Sequence, residues 1–298
     1  MALSSTPFRV PGARGAGRAR PVGTATRGTT NPNRLRRMDR WIAATHGLVL
    51  RRHGARAFAV DLGYGAAPWT AVELLSRLRA AAPLVQVVGI EIDPARVAAA
   101  APYAREGLSF LHGGFEVPLP DGHGTPPTGG ARGVGAPSAG EADGPVLIRA
   151  ANVLRQYDEA EVAAVWQRLR RRLAPDGLLV EGTCDEIGRR HVWVALGREG
   201  PRTVTFAARL ASLERPSDLA ERLPKALIHH NVPGRPVHAF LRDFDHAWAA
   251  ASPYAAYGAR QRWIRTARDL SADWPIVDGR GRWRHGELTV RWEALAPR

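Results

Sequence analysis

A single cysteine, Cys184, stands in 298 residues, which excludes internal disulfides and a cysteine-rich zinc cluster. Lysine is as scarce: Lys225 is the only one among 42 basic residues, so arginine carries the positive charge. No run of about 18 uninterrupted apolar residues occurs, which excludes a spanning helix. The N-terminus has arginines without the apolar stretch of a secretory signal, so a cytoplasmic chain with no membrane partner is expected. Histidines at helical metal-binding spacing are also missing, because His229, His230, His238 and His246 offer no i, i+4 pair. No metal site is expected.

What is present is enough apolar residue, 45%, to bury a full core in one large domain or in a core domain with an addition. The net charge of +14 is unevenly spread: the first 40 residues hold nine arginines against one acid, Asp39. Two readings of that basic tail stay open, a solvated extension and a grip on RNA or another polyanion. Residues 1–27 mix Gly, Pro, Ser, Thr and Arg without apolar periodicity and are expected to be disordered. The same composition in residues 120–144 predicts a disordered surface insertion.

Between these segments the pattern is regular. Thr30 or Asn31 can cap a helix with Pro32 in its first turn, placing Leu35, Met38, Trp41, Ile42 and Thr45 on one face. The opposite face, Arg34, Arg36, Arg37 and Arg40, is either solvated or turned toward a substrate. Strands are expected at 57–60, 85–90, 108–111, 146–150 and 178–181, with helices at 69–82, 94–103 and from Asp158 to Leu173. Two further extended runs, 191–196 and 203–210, suit an antiparallel hairpin. Beyond 213 come a helix carrying Val237, Phe240, Leu241, Phe244 and Trp248, a helix at 260–270, and an alternating tail at Leu288, Val290 and Trp292.

The first strand runs into Val60-Asp61-Leu62-Gly63-Tyr64-Gly65-Ala66-Ala67-Pro68, and the second ends in Val88-Gly89-Ile90-Glu91-Ile92-Asp93. An acid, a glycine turn, a helix and a second strand ending in an acid form half of a nucleotide-binding sheet. A dinucleotide fingerprint needs a third glycine where this chain has Pro68, which disfavours NAD and FAD. The D-x-G-x-G turn resembles motif I of the class I S-adenosylmethionine-dependent methyltransferases, and the strand ending in Glu91 resembles their motif II. Leu173-Ala174-Pro175-Asp176-Gly177 before an apolar strand is again similar. The resemblance spans residues 33–213 in element order.

The resemblance implies an α/β, Rossmann-like seven-stranded methyltransferase sheet with helices on both faces; beyond 213 it gives nothing, and the apolar pattern there reads as a C-terminal, mainly helical addition. The implied domains are a tail (1–27), a cofactor domain (28–213) and an addition packed on it (214–298). It also implies S-adenosyl-L-methionine as cofactor. Asp61, Gly63, Tyr64 and Gly65 would hold its methionine end, Glu91 and Ile92 its ribose, and Phe115 would stack on the adenine. The acid usual after the third strand is replaced here by His112-Gly113-Gly114-Phe115. Asn152, just after the fourth strand, is the candidate contact to cofactor or acceptor, with Asn31, Arg34 and Tyr157 as substrate contacts. Arg149 to Tyr157 also resembles a stretch of the chemotaxis-receptor methyltransferases, whose N-terminal helical domain this chain lacks.

No [DNS]-P-P-[YFW] tetrapeptide stands after the fourth strand, which disfavours amine methylation of bases or glutamine by that route. Thr183-Cys184 resembles the nucleophile motif of RNA 5-methylcytosine methyltransferases, but their Pro-Cys partner is absent and a buried cysteine is more often a small hydrophobe. The leading expectation is methyl transfer to a small molecule. The alternatives are an RNA methyltransferase using the tail, a non-catalytic methyltransferase-like binding module, and, lowest, an aminopropyltransferase.

Overall fold

The computed structural model of the chain describes residues 21–26, 30–119 and 144–297. The proposed insertion therefore falls almost wholly outside the described residues, as does most of the tail. Eight strands form one sheet in the order β3-β2-β1-β4-β5-β6-β7-β8. They are β1 (Phe58–Leu62), β2 (Gln86–Glu91), β3 (Leu108–His112), β4 (Leu147–Ala151), β5 (Leu178–Cys184), β6 (Arg190–Leu196), β7 (Pro201–Ala208) and β8 (Glu287–Arg291). The first five run parallel, and the last three are joined on by antiparallel pairings, β5 with β6, β6 with β7 and β7 with β8. The expected sheet with helices on both faces is there, with eight strands rather than seven. The alternating tail at Leu288 and Val290 supplies the extra one, pairing with β7 from Thr203↔Arg291 to Ala207↔Glu287. Alternation of this kind is the signature of a strand with two different faces, and both faces of this one are covered.

Helices α1 (Arg36–His53) and α2 (Trp69–Arg79) cover one face, where Met38, Trp41, Ile42, Leu74 and Leu78 meet Ala59, Val87, Leu147 and Trp193. The other face takes α4 (Glu159–Arg172), α5 (Pro236–Ala250) and α6 (Ala259–Leu270); α3 (Pro94–Ala100) follows β2. There Trp166, Phe240, Phe244 and Trp263 pack with Phe58, Val60, Ile148 and Phe206. Each such fully buried side chain contributes about 1.5–3 kcal/mol of transfer free energy. Local chemistry sets several boundaries. Asp93 accepts from Ala95 N at 2.8 Å with Pro94 at the first helical position, and Glu161 closes back on Asp158 N at 2.9 Å.

The start of α1 differs from expectation. The helix begins at Arg36, not at Pro32, because both expected caps are used elsewhere: Thr30 Oγ1 donates to the Tyr64 carbonyl at 2.9 Å, and Asn31 Nδ2 donates to the Glu186 carbonyl at 3.1 Å. Asn33, in left-handed backbone at φ 62°, donates its N–H to Glu73. Thr45 is exposed, and His46 takes the buried place beside it.

Strand order reverses between the parallel neighbours β1 and β4, which opens a crevice outside their carboxyl ends. This is an open, Rossmann-like α/β sheet, and its crevice is where a ligand can enter.

Candidate functional site

The glycine turn after β1 forms one wall of that crevice. Gly63 and Gly65 have φ 68° and 86°, a left-handed backbone that side chains resist. A Cβ on Gly63 would lie 2.9 Å from Val153 Cγ2, and one on Gly65 2.5 Å from Thr30 Oγ1. Tyr64 between them is buried; its ring meets Phe110 and its hydroxyl donates to the Arg96 carbonyl at 3.3 Å. Burial, then the nearby carboxylates Glu91 and Asp61, push its phenol well up, so it serves as a wedge that holds the turn.

Both acids of the motif are spoken for by protein groups. Asp61 is 2% exposed and accepts from Arg149 Nε at 3.0 Å and Thr70 Oγ1 at 2.7 Å. Glu91 accepts from Gly65 N at 2.9 Å and Ile92 N at 3.0 Å, with Arg96 at 3.7 Å. Glu91 thus ties the end of β2 to the glycine turn. Arg149, fully buried on β4, also pairs with Asp39 of α1, which Arg77 of α2 reaches at 2.5 Å. Burial pulls the Arg149 guanidinium down, but Asp39 and Asp61 more than offset it and hold it above its ordinary range.

At the far wall, Asn152 ends β4 in left-handed backbone at φ 60°, a strained state for a residue with a side chain. Its Oδ1 accepts from Cys184 N at 2.9 Å and its Nδ2 lies 3.2 Å from Cys184 Sγ, so it bridges β4 and β5. Burial pushes the Cys184 thiol up, against the opposing pull of Arg34. Arg34 Nε donates to the Asp185 carbonyl at 3.0 Å. The cleft enclosed by these groups has a volume of about 360 Å³ and reaches Arg155, Glu186 and Arg222.

A second, adjoining pocket is lined by Glu91, Ile92, Gly114, Phe115 and Tyr157. Residues 21–26, expected as part of a disordered tail, cross it as a strap. Val22 donates to Glu116 Oε2 at 2.9 Å and accepts from Phe115 N at 2.8 Å. Thr24 N donates to Tyr157 Oη at 2.5 Å, Gln156 Nε2 donates to the Thr24 carbonyl at 3.1 Å, and Arg96 reaches the Thr26 carbonyl at 3.0 Å. A methyl group on Gly23 would lie 3.0 Å from Tyr157 Oη, 3.4 Å from the Phe115 ring and 3.6 Å from Ile92 Cδ1. The strap leaves only about 20 Å³ open.

The structure thus brings Asp61, Gly63, Tyr64, Gly65 and Asn152 together with Arg34 around the cleft, and Glu91, Ile92, Phe115 and Tyr157 around the strapped pocket. Asn31 stands near the rim, held to the Glu186 carbonyl. Sequence reasoning missed the strap, Arg155, Arg222 and the Asp39–Arg149–Asp61 network. An arginine inside the apolar strand Leu-Ile-Arg-Ala-Ala, and a lone acid in a basic helix, were the signals for the network. Among the described residues no group of three or more His, Cys, Asp or Glu could hold a metal ion, and no helix is long and apolar enough to cross a membrane.

No protein-family model matches the chain, nor does any curated protein. Solved structures overlap it in part. The mitomycin 7-O-methyltransferase MmcR is 19% identical over 50% of this chain and 35% of its own, with a TM-score of 0.32. Human N-acetylserotonin methyltransferase is 19% identical over 48% and 35%, at a TM-score of 0.29. The N-methyltransferase NodS from Bradyrhizobium japonicum is 19% identical over 49% and 68%, also at 0.29. The chain therefore spans about a third of the length of the first two, and overlap of this extent transfers no acceptor.

Proposed function

We propose that the chain is an S-adenosylmethionine-dependent methyltransferase that acts on a small-molecule acceptor. The observation that carries this reading is the crevice at the β1/β4 reversal, where two left-handed glycines face Asn152 across an open cleft and Glu91, Ile92 and Phe115 wall an adjoining pocket. The residues fit the cofactor in kind: a bare backbone turn for close approach, an acid ending β2, and an aromatic beside it. Asp61 would act at one remove, because Arg149 and Thr70 already occupy its carboxylate.

When bound, the sulfonium cofactor supplies an electrophilic methyl group. The chain's work is then positioning, which in well-oriented reactions accounts for about 7–11 kcal/mol of the barrier. Gly63 and Gly65 let the backbone come close, and Asn152, fixed by Cys184, sets the floor on which the acceptor rests. Of the two carboxylates lining the cleft, Asp61 is committed to Arg149, which leaves Glu186 at the rim to take a proton from the acceptor.

Calorimetry of the full chain with S-adenosylmethionine and S-adenosylhomocysteine tests the reading. Micromolar binding of both is expected, and Gly65→Ala should weaken it at least tenfold while thermal melting reports whether that variant is folded. Absence of binding to either ligand would overturn the assignment. Tritiated-methyl transfer into extract fractions then isolates the acceptor.

A further inference from the structure

The end of the cleft away from the glycine turn is strongly basic. Arg155 follows β4 in a short turn, Arg222 comes from the segment beyond residue 213, and Arg34 precedes α1; all three line the same 360 Å³ space. Glu186 lines the same space and Glu221 stands beside it, accepting at its carbonyl from Arg155 Nη1 at 3.3 Å, so the three arginines outnumber the acids near them. Glu221 is 58% exposed, and its Oε2 is shared at 3.4 Å between Arg190 and Arg222. Asp61 in the cleft wall is balanced by Arg149. Arg222 Nε is buried with no hydrogen-bond partner among the described residues, an arrangement that costs about 1–3 kcal/mol unless something accepts from it. Partial desolvation, then the charge of Arg222 and more weakly that of Arg34, push the Arg155 guanidinium below its ordinary range, with Glu221 opposing. Like charges gathered around a cleft are a cost that an anion relieves.

We propose that Arg155 and Arg222, with Arg34 beside them, form a subsite for an anionic group, a carboxylate or a phosphate, carried by the methyl acceptor. This rests on the methyltransferase reading for the word acceptor, but the anion subsite itself stands on the three arginines. Planar guanidinium groups suit both anions, since each presents paired donors to two oxygens. The subsite also gives part of the C-terminal addition a role: Arg222 is held at the cleft while Thr183 Oγ1 donates to its backbone carbonyl.

The test titrates benzoate and phenyl phosphate separately into the full chain saturated with S-adenosylhomocysteine, and into the free chain. The variant Arg155→Gln/Arg222→Gln is compared with the charge-matched surface control Arg52→Gln/Arg171→Gln. At least tenfold weaker anion binding in the first variant, with the control at wild-type affinity, is expected; the tighter of the two probes identifies the anion. Equal binding by the two double variants, or no binding of either probe to wild type, overturns the proposal. So does a tenfold loss of S-adenosylhomocysteine affinity in the first variant, which would assign the arginines to the cofactor's own carboxylate. A chain that binds the probes but not S-adenosylhomocysteine keeps the subsite and removes the cofactor reading, so the two failures are distinct.

Discussion

Alanine at position 23 should tighten cofactor binding. Gly23 has φ 132°, a conformation that an L side chain adopts only under strain, and its added methyl would sit 3.0 Å from Tyr157 Oη. Strain of this kind costs about 1–3 kcal/mol, charged here to the strap's closed position. On the proposed cofactor placement the strap and a bound nucleoside would need the same walls, Ile92, Phe115 and Tyr157, and would compete. Where closed strap predominates, apparent affinity is the intrinsic affinity multiplied by the open fraction. Gly23→Ala should therefore tighten S-adenosylhomocysteine binding by about 5- to 150-fold, the conversion of that strain into a ratio. Calorimetry on the full chain reads this directly, with wild type and variant at one salt concentration. Unchanged or weaker binding would refute the competition and make the strap a wall of the cofactor site.

Three further outcomes follow from buried groups. Arg149→Leu leaves Asp61 buried with only the Thr70 hydroxyl and takes from Asp39 one of its two arginines, and should cost about 3–5 kcal/mol in urea unfolding; a loss below 1 kcal/mol would show the network to be dispensable. Glu181, buried on β5, has its carboxyl pushed up to about 8 by desolvation, so the folded state holds a proton that the unfolded chain releases near 4.5. Stability should then fall as pH rises from about 4.5 to about 8, and Glu181→Gln should flatten that slope; an identical slope in both proteins would contradict it. Cys184, with its thiol pushed up by burial, should resist iodoacetamide at pH 7.5, and Cys184→Ala should keep at least a third of methyl-transfer activity; rapid alkylation with complete loss of transfer would mean a nucleophilic thiolate.

Most of the sheet was legible because its signals are local. The apolar runs at Phe58–Leu62 and Leu178–Cys184, the Asp93-Pro94 start of α3 and the Asp158 start of α4 need only their own neighbourhoods. The eighth strand was harder, since Leu288 and Val290 alternate in any half-buried segment and only pairing with β7 makes them part of the sheet. The strap was invisible for a different reason. Its Gly and Thr residues bury little apolar surface, and what holds it is backbone hydrogen bonding to Phe115, Tyr157, Gln156 and Arg96. In the site, the glycine turn could be found from its motif. The uses of Asp61 and Glu91 could not, because their partners Arg149 and Gly65 are decided by packing across the sheet.

The pairing of β8 with β7 makes the chain hard to divide. Thr205 and Thr289 share a hydrogen bond of 3.0 Å across 84 residues of sequence, and Trp263 of α6 donates to the Glu287 carbonyl at 3.3 Å. A shortened protein ending near residue 213 would present β7 as a bare, apolar sheet edge, the kind of surface on which strands of separate molecules add to one another. Because β8 is synthesised well after β7, a nascent chain leaves that edge open until Glu287–Arg291 has been made. The strand Glu287–Arg291 therefore guards solubility during synthesis as well as completing the sheet.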